Sequence, residues 1–328
     1  MKLCIWYRGT DGPWGGSNSF LTSLANCFAA RGIEVVSEPS PDCAAVILNS
    51  FTRGGETKLS PETTAAVRAL GRAPWWVNIL PAGFWLRRAC GASKVLLIHR
   101  CDGVTRLYGR NDNADEIQFA INALSDATVF QSEYCRVSFA DQGIIPRRWS
   151  IVHNGVDTGL FRPTLEAVPL GQKLKLAAVS WSSNVCKGFA LLSLLGKRKD
   201  VEMSFVGNWN KLYDPGRIHL IAPLPRQALA EFLRTQNGFV HAAENDPCSN
   251  ALIEALASGL PALYHPSGGT PELAEPFGCA LNGVLDEVLG SYRTRYAALR
   301  GEILARKERF SISLAADGYL ALVEKLRI

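Results

Sequence analysis

Two carboxylates and a pair of glycines in the stretch DPCSNALIEALASGLPALYHPSGGTPEL, Asp246 to Leu273, raise the first chemical question. Glu254 sits among Ala251, Leu252, Ile253, Ala255 and Leu256, a run whose spacing predicts a buried helix. An ionised carboxylate there is costly unless it meets strong hydrogen-bond donors. The two hydroxyls of a ribose would serve, and so would a structural arginine. Asp246 lies eight positions earlier, an acid-x7-acid spacing that spans a loop and the first turns of the helix. Pro247, Ser249 and Asn250 are helix-starting types, so free backbone N–H groups should point out of the N-terminus. Those donors and the positive end of the helix dipole suit an anionic diphosphate. Gly268 and Gly269 let backbone approach closely without a Cβ, although a plain tight turn is the simpler account.

Three more segments carry polar groups where chemistry could use them. GTDGPWGGSNSF follows the first strand pattern and opens a helix; it is not G-x-G-x-x-G, so no dinucleotide fingerprint is present. Gly15 and Gly16 before Ser17 still form a turn that a phosphate can approach. SWSSNVCKGFALL brings Lys187-Gly188 to the end of another strand pattern, with Ser182 and Ser183 nearby; a solvated surface lysine is the alternative. LLIHRCDG ends a strand with His99, Arg100, Asp102 and Gly103, and a histidine satisfied in the core competes there with one facing a cleft.

These segments need strands and helices to hold them. Short apolar runs alternate with amphipathic helical patterns: KLCIWYR, a helix over 17–31, IEVVS, AAVILNS, then KVLLIHR, DATVFQS and WSIVHNG. Such runs predict parallel strands buried on both faces. After the Pro-containing DTGLFRPTLEAVPLGQK the pattern restarts with LKLAAVSW, VEMSFVG, RIHLIAP, GFVHAA and LPALYH. The expectation is α/β: two doubly wound domains facing across a cleft, at about 1–163 and 164–312. A terminal helix over about 313–328 either closes the second domain or, as we expect, packs back onto the first.

Composition narrows the class. The 328 residues carry a formal charge of +5, and halves split near residue 163 hold 17 basic and 14 acidic residues, then 18 and 16. Neither half has the basic excess of a nucleic-acid-binding arm. Nine cysteines are scattered without a C-x-x-C pair, as in a cytosolic protein with reduced thiols. Five histidines show no ligand spacing, so no metal and no bound cofactor is expected. No signal-peptide-like opening or 18-residue apolar run occurs, which makes a cytoplasmic protein the default. From Arg87 to Arg110 six cations (Arg87, Arg88, Lys94, Arg100, Arg106, Arg110) face one acid, Asp102, just after the aromatic-rich PWWVNILPAGFWL. A solvated face explains this; so does peripheral contact of 75–110 with a membrane's inner face or a lipid-linked substrate.

ALIEALASGLPAL…SGGTPEL, together with IVHNGVDTGLFRP (Ile151 to Pro163), resembles the retaining GT-B glycosyltransferases of the group-1, family-4-like type with an E-x7-E motif. The resemblance covers most of the chain. It implies a nucleotide-diphosphate-sugar donor held by the second domain, with UDP-sugars favoured as the commonest donors. The acceptor would be a hydroxyl of a glycan, lipid-linked or small-molecule substrate, as in polysaccharide biosynthesis. Glu254 would bind the ribose and Asp246 the donor-sugar hydroxyls; Asp246 is one methylene shorter than the usual Glu, and Glu244 competes for the role. Gly15 and Gly16 would face the diphosphate. So would Lys187, Ser249 and Asn250, with Ser182 standing where the family usually has an arginine. His99 would touch the donor sugar and Asp102 would orient His99 or an acceptor hydroxyl. Transfer would proceed with retention and without a metal, the departing phosphate helping to deprotonate the acceptor. A nucleotide-sugar epimerase or hydrolase, or a nucleotide-sugar-binding pseudoenzyme, are the alternatives.

Overall fold

A computed structural model describes residues 1–9, 15–40, 42–52, 95–110 and 112–327. The aromatic run PWWVNILPAGFWL and Arg87, Arg88 and Lys94 lie outside the described residues, as do residues 10–14 of the first glycine-rich loop.

Among the described residues, β1 (Lys2–Ile5), β2 (Glu34–Val36), β3 (Ala45–Asn49), β4 (Leu96–Cys101), β5 (Ala127–Phe130) and β6 (Trp149–Ile151) form one sheet in the order β2-β1-β3-β4-β5-β6. A second sheet orders β7 (Leu174–Ser180), β8 (Val201–Gly207), β9 (His219–Ile221), β10 (Gly238–His241), β11 (Ala262–Tyr264) and β12 (Gly278–Ala280) as β12-β11-β10-β7-β8-β9. Every strand pair between them is parallel. β3 is buried along its whole length, AVILN, as a central parallel strand covered on both faces must be.

Helices cover both faces of each sheet. On the first, α1 (Gly16–Ala30) packs Phe20, Leu21, Leu24 and Phe28 against Leu3, Ile5 and Ile47. The opposite face receives Ala114, Ile117 and Ile121 of α2 (Ala114–Leu124); α3 (Glu133–Ala140) follows β5. On the second, α4 (Phe189–Gly196) and the long α8 (Leu285–Ala305) share one apolar cluster. α5 (Arg226–Leu233), α6 (Asn250–Ala257) and α7 (Thr270–Ala274) share the other. The last helix, α9 (Ile312–Arg327), returns to the first sheet: Ala315, Ala316, Tyr319, Leu322 and Val323 join the α1 cluster, and Arg31 pairs with Asp317 at 2.5 Å.

The sheets meet carboxyl ends inward. In a doubly wound sheet the crevice opens where strand order reverses, and here those switch points are β1/β3 and β7/β10. The loops leaving β1, β4, β7 and β10 therefore converge. A carboxylate also joins the domains: Glu272 of α7 accepts from the first two amides of α3, Glu133 and Tyr134, each at 2.8 Å. Those are donors that a helix start leaves unsatisfied.

Candidate functional site

The cleft between the sheets has a volume of about 630 Å³. Gly15, Gly16, Asp102, Ser182, Lys187, Glu244, Asp246, Ser249, Asn250 and Glu254 all line it. Four cations (Arg100, Arg110, Lys187, Arg226) and four carboxylates (Asp102, Glu244, Asp246, Glu254) therefore share the space. Two opposite pairs, Arg100–Asp102 and Lys187–Asp246, are already matched at 2.5 and 2.8 Å.

Lys187 reaches the cleft because of a local device. Asn184 caps the 3-10 turn Val185–Lys187, its Oδ1 accepting from the Cys186 amide at 2.9 Å. Gly188 then reverses the chain at φ 74° to start α4; a Cβ there would stand 2.1 Å from the Ala242 carbonyl oxygen. No larger residue fits, so glycine at 188 is a backbone requirement. Lys187 Nζ donates to Asp246 Oδ2. Burial works against the Asp246 charge, yet Lys187 and the Cys248 amide hold its carboxyl below the ordinary range. Asp246 is a buried anion with a cation beside it.

Ser249 caps α6, its Oγ accepting from the Leu252 amide at 3.3 Å, and the N-terminus opens on the cleft. One turn further, Glu254 is 8% exposed. No hydrogen bond or ion pair reaches its carboxylate among the described residues. Burial pushes its carboxyl up to about 7, opposed only by the positive charge of Arg226. A carboxylate in this state gains from any ligand that brings two hydroxyl donors.

The glycine pair acts one layer behind the cleft. At Gly268, φ 65°, a Cβ would fall 2.5 Å from the Asp246 carbonyl oxygen, and at Gly269 2.1 Å from that of Pro247. The Gly269 amide donates to the Asp246 carbonyl at 2.9 Å. The two glycines thus buttress the loop that carries Asp246.

His99 does not face the cleft. Its side chain is fully buried, Nε2 lies 2.9 Å from the Ser50 carbonyl, and Nδ1 lies 3.1 Å from Asn122 Nδ2. Burial pushes its pKa down to about 4, so the ring is neutral. The expected sugar contact and the expected orientation by Asp102 are both corrected. Along β4 the neighbouring Arg100 takes the cleft side, and Asp102 accepts from Arg100, from Gln131 Nε2 at 2.6 Å and from Ser17 Oγ at 3.3 Å.

Sequence reasoning missed Asn154 and Arg226. Asn154 sits inside IVHNGVD, accepts from Arg100 at 3.0 Å and donates to Gln131 and Asn250, each at 2.8 Å. Asn250 in turn donates to the Gly16 carbonyl at 2.5 Å, tying the two glycine-rich and helix-start loops together. Arg226 opens α5 and reaches across to Ser23 of α1 at 3.2 Å. Nothing in its sequence context marks it. No cation stands at Ser182, whose Oγ accepts from the Asn184 amide at 3.2 Å. The positive charge comes instead from Lys187, Arg100, Arg110 and Arg226.

Two six-stranded parallel sheets with their carboxyl edges facing across such a cleft define the GT-B fold, and the chain has it. It superposes on HepE of Anabaena, solved with UDP, at a TM-score of 0.69 with 13% identity over 99% of each chain. Sucrose-phosphate synthase of Thermosynechococcus elongatus gives 0.67 and 15% over 99% of this chain and 98% of that one. The catalytic domain of starch synthase IV from Arabidopsis thaliana, solved with ADP and acarbose, gives 0.61 and 9% over 99% and 98%. At these identities the likeness is one of fold. In sequence, a GDP-mannose-dependent alpha-mannosyltransferase of Mycolicibacterium smegmatis is 27% identical over 35% of this chain and 35% of its own length. No family model matches.

Proposed function

We propose that the protein is a retaining glycosyltransferase that moves a hexosyl group from a nucleoside-diphosphate sugar to an acceptor hydroxyl. One observation carries this: the Lys187–Asp246 pair, the α6 N-terminus and the bare, buried carboxylate of Glu254 all open on one cleft. In this reading a nucleotide sugar lies with its ribose on Glu254, its diphosphate on the α6 amides and Lys187, and its sugar toward Asp246. The E-x7-E role of Asp246 and Glu254 is part of the proposal. The names of the relatives support the same class.

The chemistry asks for stabilisation of negative charge on a leaving diphosphate while the anomeric carbon becomes cationic. Lys187, the amides at Ser249 and Asn250, and the Gly15-Gly16 turn supply fixed positive potential there. No residue of the cleft is assigned as a nucleophile; the departing phosphate accepts the acceptor's proton on the face it leaves, giving retention. With this potential from the chain itself, transfer needs no metal. UDP-sugars remain the first donors to try, with GDP-sugars beside them because of the mannosyltransferase relative. The acceptor is a glycan, lipid-linked or small-molecule hydroxyl. No described helix is long and apolar enough to cross a membrane, and the eight described cysteines are free thiols. The free thiols fit a site of action in the cytoplasm, and peripheral contact at the inner face through 75–110 is part of the proposal.

Thermal-shift screening with UDP, GDP, ADP and their sugars, followed by NMR of donor turnover against an acceptor panel, tests this. Transfer with the donor's anomeric configuration kept is the expected result. Release of free sugar or an epimer would assign a hydrolase or epimerase instead, and binding without turnover a pseudoenzyme.

A further inference from the structure

On the acceptor side of the cleft, Gly103 to Arg110 forms a rigid block. The Thr105 and Arg106 amides donate to the carboxylate of Asp115, at 2.6 and 3.1 Å, and Asp115 is buried on α2. Gln118 of the same helix donates to the Gly103 carbonyl at 3.1 Å. The block ends in the 3-10 turn Thr105–Tyr108, and Tyr108 and Arg110 line the cleft. The guanidinium of Arg110 rests 4.9 Å over the Phe51 ring.

The far end of this turn is gripped from the other domain by two carboxamides. Asn184 Nδ2 donates to the Tyr108 carbonyl at 3.0 Å, and Asn245 Nδ2 donates to the Leu107 carbonyl, also at 3.0 Å. These two asparagines stand on different loops, and each loop carries one half of the Lys187–Asp246 pair. Asn184 caps the turn that presents Lys187; Asn245, held at φ 55°, immediately precedes Asp246. Packing is close on the same line. A Cβ on Gly109 would meet the Asn184 carboxamide and Cys186 Sγ at 3.3 Å, and one on Gly103 would meet Pro247 at 3.1 Å.

We propose that Asn184 and Asn245 are positioning residues that couple the donor-side loops to the acceptor-side turn, so that nucleotide bound at Lys187 sets the placement of Tyr108 and Arg110. The inference rests on the glycosyltransferase reading and adds a coupling between its two subsites. A diphosphate competes with Asp246 for the Lys187 ammonium, and a shift in either loop is passed through a carboxamide to one of two consecutive carbonyls. Because the receiving turn is fixed to α2 by its amides on the Asp115 carboxylate and by the Gln118 carboxamide on the Gly103 carbonyl, it moves as a unit.

Hydrogen–deuterium exchange read by mass spectrometry, with UDP and GDP as probes, tests the coupling. Asn184→Asp keeps a capping oxygen for the Cys186 amide and removes the donor. Asn245→Gly keeps the left-handed backbone and removes the side chain. In the wild type, saturating nucleotide should slow exchange at 185–188 and 246–252, and also at 104–110 by about tenfold. In the combined variant the first two responses should persist, and the third should fall below about twofold. Each single substitution is read by the same criterion, so the test does not hang on the combined variant folding. A merely structural role would raise basal exchange at 104–110 and leave the nucleotide-induced change intact, which would overturn the proposal. So would a wild type whose donor loops respond while 104–110 stays unchanged. Absence of any response to either nucleotide, with no binding by calorimetry, would instead remove the functional reading on which the coupling stands.

Discussion

Lys187 Nζ stands 2.8 Å from Asp246 Oδ2, with the lysine side chain one-third exposed and the aspartate at 10%. Removing the ammonium by Lys187→Ala leaves a buried carboxylate whose remaining hydrogen bond among the described residues comes from the Cys248 amide at 3.2 Å, and should destabilise the fold by about 2 kcal/mol, allowing for solvent screening at the lysine. Turnover should fall by about 10²-fold, the usual scale for losing one charge-stabilising donor. The double substitution Lys187→Ala/Asp246→Asn separates two roles. Stability should return, because no uncompensated charge is left; turnover should not. Recovery of turnover to the level of Asp246→Asn alone would reduce Lys187 to a counter-ion.

Glu254 gives the cleft a pH dependence of known sign. The unfolded chain ionises this side chain near its ordinary 4.5, whereas the folded protein holds the proton to about 7. The stabilising contribution is therefore complete below 4.5 and lost as pH rises through about 7. Binding runs the other way if ribose hydroxyls donate to the ionised form. Affinity for a nucleotide sugar, whose diphosphate carries no titrating proton there, should improve by up to about tenfold per pH unit approaching 7, then level off. His241, already neutral above about 4, adds no slope in that range. Calorimetry from pH 5.5 to 8.5 checks it. Glu254→Gln should bind more weakly and show a flat profile; a falling affinity in the wild type would mean the protonated acid is the binding form.

The glycine pair behind Asp246 should tolerate nothing larger. Gly269→Ala places a methyl 2.1 Å from the Pro247 carbonyl oxygen and 2.8 Å from Ser132 Oγ. Backbone must move, at a cost of about 3 kcal/mol, and what moves is the loop carrying Asp246. Stability and donor affinity should fall together. Gly290 is the internal control. It lies within α8 with nothing inside 4 Å of its missing Cβ, so Gly290→Ala should stabilise by about 0.5–1 kcal/mol and leave binding unchanged. Urea titration of the two variants distinguishes them by sign.

Why some of this could be read from residues and some not has a physical cause. Central parallel strands buried on both faces, such as β3 and β10, advertise themselves as continuous apolar runs, and β1 to β11 all coincide with short apolar runs visible in the sequence. β12, Gly278–Ala280, is built of Gly, Cys and Ala, with no large apolar side chain to mark it as such a run. The cleft residues on helix starts and glycine turns were visible because local backbone chemistry marks them. Asn154 and Arg226 act through partners 96 and 203 positions away, Asn250 and Ser23, and no local pattern encodes those distances. Strand register decided His99. The residue type suggested catalysis, but on β4 the imidazole belongs to the core side and its neighbour Arg100 to the cleft.

That placement makes the last prediction. His99 fills a polar niche in which the Ser50 carbonyl and the Asn122 amide both need partners, and its ring is fully buried. His99→Ala leaves a cavity and unsatisfied polar groups, which should cost about 3 kcal/mol or more. Because burial already holds the imidazole neutral above about 4, no activity transition near pH 6.5 should trace to it. His99→Gln, which offers an amide to the Ser50 carbonyl, should recover part of the stability. Nucleotide affinity should stay within about twofold of wild type in both variants, since nothing of His99 lines the cleft. Denaturation midpoints and calorimetry measured on the same preparations decide the case: a large loss of affinity with stability intact would return His99 to the binding machinery.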